Sequence, residues 1–329
     1  MNTTKTAVLT VLVLVNIAFV LGWIRAARRH GLRERPTLGD VAIGVVTDFL
    51  DTLGIGSFAP TTALFKFRGR PADELIPGTL NVGHNASAFL ETTLFVTSVA
   101  VQPLLLGSMV ASAAAGAWLG AGVVSGLPRR AIQRFMGVAL LIAALFFVMK
   151  NLGVMEHLGA FPGGAEAFAL EGWRFAVAVG VSFLLGALMC IGIGNYAPLM
   201  IILALLGMHP LAAFPIMMAS DGILQPVASL GFFRSGRFAH GPSLGLLAGG
   251  VVGVLIAFPL VSKLPLYWLR WLVVAVVTYA ALSMLRSAYT EARAAAPAAG
   301  RSAGRPTHPC RDHIAVPMGC GGRRPIGSP

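Results

Sequence analysis

Residues 54–60 read GIGSFAP, and residues 192–198, at an offset of 138 positions, read GIGNYAP. Each stretch lies inside an apolar run and has two glycines followed by a proline. Glycine adopts backbone conformations that other residues avoid, and proline cannot continue a helical hydrogen-bond ladder. The sequence therefore predicts a helix that breaks at the same place in two related segments.

The match between the segments extends far beyond these seven residues. It continues without a gap to Pro77 against Pro215, and VSGLP at 124–128 then matches VSKLP at 261–265 after the loss of one residue. Glycine, proline and serine rarely coincide in this order in unrelated apolar helices, so we infer an internal duplication. The two copies cover residues 39–151 and 174–287.

The composition indicates a membrane protein. Hydrophobic residues make up 56% of the chain and charged residues 12%, with a mean hydropathy of +0.77, whereas a soluble domain carries about 25% charged residues. Several apolar runs reach the roughly 20 residues that span a bilayer. The net charge of +12 comes with no basic stripe of interleaved aromatics, so we expect no nucleic-acid partner.

The two ends of the chain differ from the duplicated core. Residues 1–38 contain an apolar run at about 7–24 that is followed by arginines. A secretory signal has its positive charge before the apolar stretch, so we predict an uncleaved anchor helix with the N-terminus outside and a basic cytoplasmic loop. Residues 288–329 are rich in Ala, Gly, Pro and Arg and predict a disordered basic cytoplasmic tail, whose few His and Cys residues do not predict a metal site.

The charge pattern predicts how the two copies are oriented. Residues 152–173 contain Glu but no Lys or Arg, so this loop is expected on the extracytoplasmic side. The basic clusters elsewhere lie inside if segments 40–66 and 174–208 each enter and leave the membrane on one side. The fold class is then an all-α polytopic membrane protein with two inverted repeats, each with a broken or re-entrant helix, as in many secondary transporters.

The two predicted breaks suggest an anion site. Irregular backbone at membrane depth is tolerated only where it is buried or lines a cavity, and a half-helix that starts there offers free N–H groups and a positive dipole end. Two breaks that face each other would cradle one small anion, unless these glycines only allow close helix packing. The candidate substrate-binding residues here are Gly54, Gly56, Ser57, Pro60, Gly192, Gly194, Asn195 and Pro198.

A second group of polar residues follows the prolines at 77 and 215. Polar side chains at membrane depth usually face the bundle interior, and three of those in the first copy share a helical face. They either line the same cavity or hold helices together. The candidate substrate-binding residues in this group are Asn81, His84, Asn85, Ser220 and Gln225, and Asp221 belongs to the group as well.

Four carboxyl groups lie in apolar runs and are candidates for proton coupling. A proton-driven transporter needs a group that titrates inside the path, and burial favours the neutral form of a carboxyl. We rank Asp51, just before the first break, and Asp221, in the second polar group, ahead of Asp48 and Glu91. Glu91 lies two helical turns after His84, which suggests that these two pair.

Together these segments resemble the TauE/SafE family, also called the TSUP or DUF81 permeases. The resemblance rests on DTLGIGSFAPTTALFKF at 51–67, IPGTLNVGH at 76–84 and GIGNYAPLMIILALLGMHPLAAFPIMMASDG at 192–222, and it covers about residues 40–287. It implies an inner-membrane sulfite or organosulfonate permease. Its motif glycines and prolines correspond to Gly54, Gly56, Pro60, Gly192, Gly194 and Pro198.

Two other functions remain open from the residues alone. A membrane-embedded enzyme or sulfur-relay partner would need a nucleophile at the site, and Cys190 is the thiol nearest to it, although the aligned residue in the first copy is Thr52. A non-transporting scaffold would explain the helices but not the paired breaks. We therefore predict a permease for a small anion, not an enzyme, with no cofactor or metal and with the lipid bilayer as its surroundings; a homo-oligomer is compatible with this.

Overall fold

The computed structural model describes residues 3–30, 34–123, 129–152, 167–189 and 196–302. Helices account for nearly all of these residues, and the regular elements among them are all helical, apart from one isolated bridge between Ala167 and Met208. The all-α fold expected from the sequence is confirmed. The helices are α1 Thr3–His30, α2 Leu38–Thr52, α3 Phe58–Arg68, α4 Ile76–Gly83, α5 Asn85–Ser98, α6 Pro103–Val123, α7 Arg129–Asn151, α8 Gly172–Met189, α9 Tyr196–Leu205, α10 Pro210–Ser235, α11 His240–Ser262 and α12 Leu266–Ser302.

Four segments of these helices are long and apolar enough to cross a membrane: Thr3–Arg29, Pro210–Ser235, His240–Ser262 and Tyr267–Thr290. Large apolar side chains also face outward, as for Trp118, which is 81% exposed. A water-soluble protein rarely exposes such surfaces. The fold is therefore compatible with a membrane protein.

The first predicted helix break lies between α2 and α3. α2 ends at Thr52 and α3 begins at Phe58, and Gly54 and Gly56 between them have φ angles of 89° and 90°. Side chains disfavour these angles, so glycine is required at both positions. Residues 190–195, in which the second break is predicted, lie outside the described residues.

The start of α2 is fixed by side chains from two elements. Thr37 and Asp40 form a reciprocal capping box, which satisfies free amides at the helix N-terminus. Arg68, at the end of α3, donates to Asp40 at 2.9 Å. This ion pair brings the end of α3 back to the start of α2, so the two helices form a hairpin around the break.

Helices α2 and α11 pack along each other, and so do α6 and α8. Small residues allow the close approach: a Cβ at Gly249 of α11 would lie 2.0 Å from the carbonyl oxygen of Val41 in α2. A Cβ at Gly116 of α6 would lie 2.0 Å from the carbonyl oxygen of Phe183 in α8. α10 packs against α1, α4, α5, α6 and α9, so it lies at the centre of the bundle.

Two helical boundaries differ from the apolar pattern. Residues 75–103 form one apolar run in the sequence, but the structure divides it into α4 and α5, because the backbone at His84 (φ −84°, ψ 1°) departs from the helix. α12 continues to Ser302, so residues 288–302 are helical although their composition predicts part of a disordered tail. Their alanines and charged residues have high helix propensity. By compactness, residues 1–289 form one unit and 290–329 a second.

Candidate functional site

Asp48 and His84 form a buried pair near the end of α2. His84 Nδ1 lies 2.8 and 2.9 Å from the two carboxyl oxygens of Asp48, and both side chains are fully buried. Ser87 donates to Asp48 Oδ1 at 2.6 Å. The sequence suggested that His84 pairs with Glu91; the structure pairs it with Asp48 instead.

A chain of hydrogen bonds leads from this pair to the helix break. His84 Nε2 lies 3.0 Å from Thr61 Oγ1 in α3, and Thr61 Oγ1 donates to the carbonyl oxygen of Ser57 at 2.8 Å. The Ser57 hydroxyl in turn donates to Asp51 Oδ2 at 3.0 Å. The first turn of α3 therefore links the two aspartates of α2.

Glu91 of α5 lies fully buried beside the end of α2. Thr52 donates its hydroxyl to Glu91 Oε1 at 2.6 Å, whereas Glu91 Oε2 has no partner. Thr92, the next residue, donates to the carbonyl oxygen of Met218 at 2.6 Å. α5 is thus joined to both α2 and α10 by hydroxyl groups.

Asp221 of α10 completes the polar group. Tyr196, the first residue of α9, and Gln225, one turn further along α10, lie within hydrogen-bonding reach of the Asp221 carboxyl. Asp221 Oδ1 and Gln225 Oε1 nevertheless have no partner. Asp221, like Glu91, therefore has a carboxyl oxygen to which none of the described residues donates a hydrogen bond.

We call the side chains of Asp48, Asp51, Glu91 and Asp221 the carboxyl cluster. They lie close enough to repel one another when they are charged. Within the described part of the chain, no group of three or more His, Cys, Asp and Glu side chains has the arrangement to hold a metal ion. The four carboxyl groups ranked from the sequence as proton-coupling candidates thus lie near one another.

The first break meets helices of the second copy. A Cβ at Gly54 would lie 2.8 Å from Met200 Cε in α9 and 3.6 Å from the ring of Phe214 in α10. Tyr196, at the start of α9, lies near enough to Asp51 for their charges to interact. The start of α9, which follows the second glycine motif, is therefore next to the end of α2.

The structure distributes the remaining substrate-binding candidates over several surroundings. The Asn81 amide donates to the carbonyl oxygen of Pro77 in its own helix, and the Ser220 hydroxyl does the same with Ile216. Asn85 turns to α1, where it donates to Asn16 Oδ1 at 2.8 Å. Asn81, His84 and Asn85 therefore do not share one helical face as expected, because the helix is interrupted at His84.

Other predicted residues are in or near the break, or lie outside the described residues. Ser57 is buried against Asp51, Pro60 lies in the first turn of α3, and Pro198 is buried in α9. Gly192, Gly194, Asn195 and Cys190 lie outside the described residues.

Several residues of this site were missed in the sequence. Thr52, Thr61, Thr92 and Tyr196 all bond or face the carboxyl cluster or its neighbours. Threonine in an apolar helix usually bonds the carbonyl group of its own preceding turn, so its presence gave no signal. Tyr196 was visible only as part of the GIGNYAP motif.

Comparison with known protein families, curated proteins and solved structures found no match. The functional interpretation consequently rests on the chain itself.

Proposed function

We propose that this protein is an inner-membrane secondary transporter for a small anion, of the class of sulfite, organosulfonates and related sulfur oxyanions. The proposed class of substrate follows from the resemblance to TauE/SafE permeases and from the chemistry of helix N-termini. The proposal includes two inverted repeats and a substrate site between their helix breaks.

The observation that carries this proposal is the meeting of the first break with the start of α9. α3 begins at Phe58, and the first amides of a helix have no partner within it. Gly54 lies against Met200 of α9, so a helix N-terminus of each copy lies near the same buried point. Such a pair of N-termini favours an anion between them.

Reciprocal packing supports a twofold relation between the copies. With the one-residue gap placed before α6, α2 aligns with α8 and α11 aligns with α6. The pair α2–α11 therefore corresponds to the pair α8–α6, and both pairs pack closely. The first helix of each copy thus packs against a helix of the other copy, as expected for two interlocked repeats.

Individual contacts repeat in the same way. Gly116 of α6 approaches the carbonyl oxygen of Phe183, and the aligned Gly253 of α11 approaches that of Val45, where an added Cβ would lie 2.4 Å away. In each contact, the glycine and the residue that it approaches both align with their counterparts. The correspondence therefore extends to the packing of the two helix pairs.

The loops at equivalent helix ends support opposite orientations. The loop after α5 bonds to 167–170, the segment expected outside: Gln102 N donates to the carbonyl oxygen of Phe168 and Gln102 Oε1 accepts from Leu170 N. The loop after α10 leads to Gly241, whose amide donates to Glu34 in the basic loop expected inside. Equivalent ends then lie on opposite sides of the membrane.

The test is transport by the purified chain in proteoliposomes loaded with radiolabelled sulfite or taurine. Gly56→Leu should lower flux by at least about tenfold, because a side chain at its left-handed position (φ 90°) strains the break by about 1–3 kcal/mol and fills the site. We expect the same loss for Gly194→Leu, the aligned position of the second glycine motif. Gly180→Leu is the matched control, since Gly180 is exposed on α8 and nothing lies within 4 Å of a Cβ there.

Insertion and monodispersity of each variant are measured alongside flux. Unchanged flux in both break variants would remove these glycines from the transport path. Equal loss in the Gly180 control would show that any added leucine impairs the protein.

A further inference from the structure

Glu91 and Asp221 are the members of the carboxyl cluster that each have one buried oxygen without a donor among the described residues. Glu91 is fully buried, yet its Oε2 has no partner, and Oδ1 of Asp221 is covered without a partner. A buried acceptor without a donor loses its hydration and gains nothing in return. A protonated carboxyl avoids this cost, because its O–H group becomes a donor.

Asp48 differs in having a full set of neighbours. His84 contacts both of its oxygens and Ser87 donates to one of them. A Cβ at Gly250 of α11 would lie 2.4 Å from Asp48 Oδ2, so the helix backbone closes the remaining side. The Asp48 carboxyl therefore has partners for its oxygens that Glu91 Oε2 and Asp221 Oδ1 lack.

The surroundings of Glu91 and Asp221 contain no compensating positive group among the interactions described for them. Asp48, Asp51 and Asp221 act on Glu91 by charge, and Thr52 by its hydroxyl. Tyr196 and Gln225 lie near enough to act on Asp221. Among the described residues, the titratable groups that act on the pair are Asp48 and Asp51 on α2 and Tyr196 on α9. His84 lies one step further away, against Asp48, and Gly250 of α11 lies beside Asp48 as well.

We propose that Glu91 and Asp221 take up and release the protons that accompany the anion, so that the proton is the coupling ion. This assignment rests on the proposed transport function. In each step an O–H bond forms at Glu91 Oε2 or Asp221 Oδ1 with a proton from the water on one side, and the same bond breaks when the proton leaves to the other side. No electrons are transferred.

The coupling follows from the charges. An anion at the break meets repulsion from ionised carboxylates at close range, and this repulsion is strong where water is excluded. Neutral carboxyl groups remove the repulsion and offer O–H donors. Protons and anion therefore favour each other's binding, and this coupling is reciprocal.

The first test measures protonation without transport. Infrared difference spectra of the reconstituted full chain, recorded between alkaline and neutral pH, where exposed carboxyl groups with ordinary pKa values of about 4 stay ionised, should contain a C=O stretching band of protonated carboxyl groups. The band should be reduced in Glu91→Gln and in Asp221→Asn and absent in the double variant. Glu91→Asp, which keeps a carboxyl, should retain it, and so should Glu74→Gln, since Glu74 is exposed.

The second test measures sulfite accumulation under an imposed proton gradient or sodium gradient. Accumulation in the wild-type chain should follow the proton gradient, and in Glu91→Gln it should fall to the level of protein-free liposomes. Thermal unfolding of each variant in detergent establishes that it folds; glutamine has the shape of a protonated glutamate, which favours folding of Glu91→Gln.

The two proposals fail in different ways. A pH-dependent band that depends on Glu91 and Asp221, without transport of any sulfur oxyanion, would support the proton site and contradict the transport function. Transport that follows sodium, or a band that vanishes in Asp48→Asn but persists in the double variant, would overturn the assignment of Glu91 and Asp221.

Discussion

Asp48 and His84 provide the clearest test of the site at the scale of single residues. Both are fully buried, and their side chains contact at 2.8 Å. Removing one partner of a buried pair leaves the other without compensation and costs about 3–5 kcal/mol. We expect Asp48→Ala and His84→Ala each to destabilise the protein by this amount, measured by reversible unfolding in mixed micelles.

The double variant separates this pair from simple loss of packing. Asp48→Ala combined with His84→Ala should cost at least about 1 kcal/mol less than the sum of the single variants, because the contact is lost only once. Additive effects would mean that the pair contributes no interaction energy.

The residues of the carboxyl cluster could be predicted, but their partners could not. Asp48, Asp51, Glu91 and Asp221 are conspicuous because ionisable groups are costly in apolar runs. Their pairings depend on the rotation of α2 against α5, which a helical pattern does not specify. The backbone departs from helical geometry at His84. This departure places the His84 side chain away from Asn81 and beside Asp48, and no sequence motif predicts it.

At the scale of helices, the close pairs α2–α11 and α6–α8 depend on missing side chains. Gly249 and Gly116 each approach a carbonyl oxygen so closely that an added Cβ would lie 2.0 Å from it. We expect Gly249→Ala and Gly116→Ala each to destabilise the protein by about 1–3 kcal/mol, because the helices must separate. Unfolding in mixed micelles measures both.

Gly231 in α10 is the matched control for these two variants. Nothing lies within 4 Å of a Cβ there, so Gly231→Ala should be neutral or stabilising by up to about 1 kcal/mol through helix propensity. A loss in this control similar to that of Gly249→Ala would point to a general intolerance of alanine instead of close packing.

The sequence could predict the helix break but not the helix pairing. Gly54 and Gly56 need positive φ angles, which is a local property of two residues. The pairing of α2 with α11 is a contact between segments about 208 positions apart, as from Val41 to Gly249, and the glycines that permit it resemble any others in an apolar run. The duplication becomes informative here, because a contact in one pair implies the aligned contact in the other.

At the scale of the whole molecule, the orientation of the two copies can be tested at two helix ends. Ser98 ends α5 and Ser235 ends α10, and these ends correspond in the aligned copies. Both side chains are exposed. In a parallel duplication they lie on the same side of the membrane, and in inverted repeats they lie on opposite sides.

In a chain without its native cysteines, we expect a membrane-impermeant thiol reagent to label Ser98→Cys in intact cells and Ser235→Cys only in inside-out vesicles. Lys5, at the end of α1 expected outside, bonds the carbonyl oxygen of Val99, which agrees with an outer position for Ser98. Glu171→Cys, in the loop expected outside, is the control for outer labelling. Labelling of Ser98→Cys and Ser235→Cys from one side would exclude inverted repeats, and with them the arrangement in which two half-helices approach one anion from opposite leaflets.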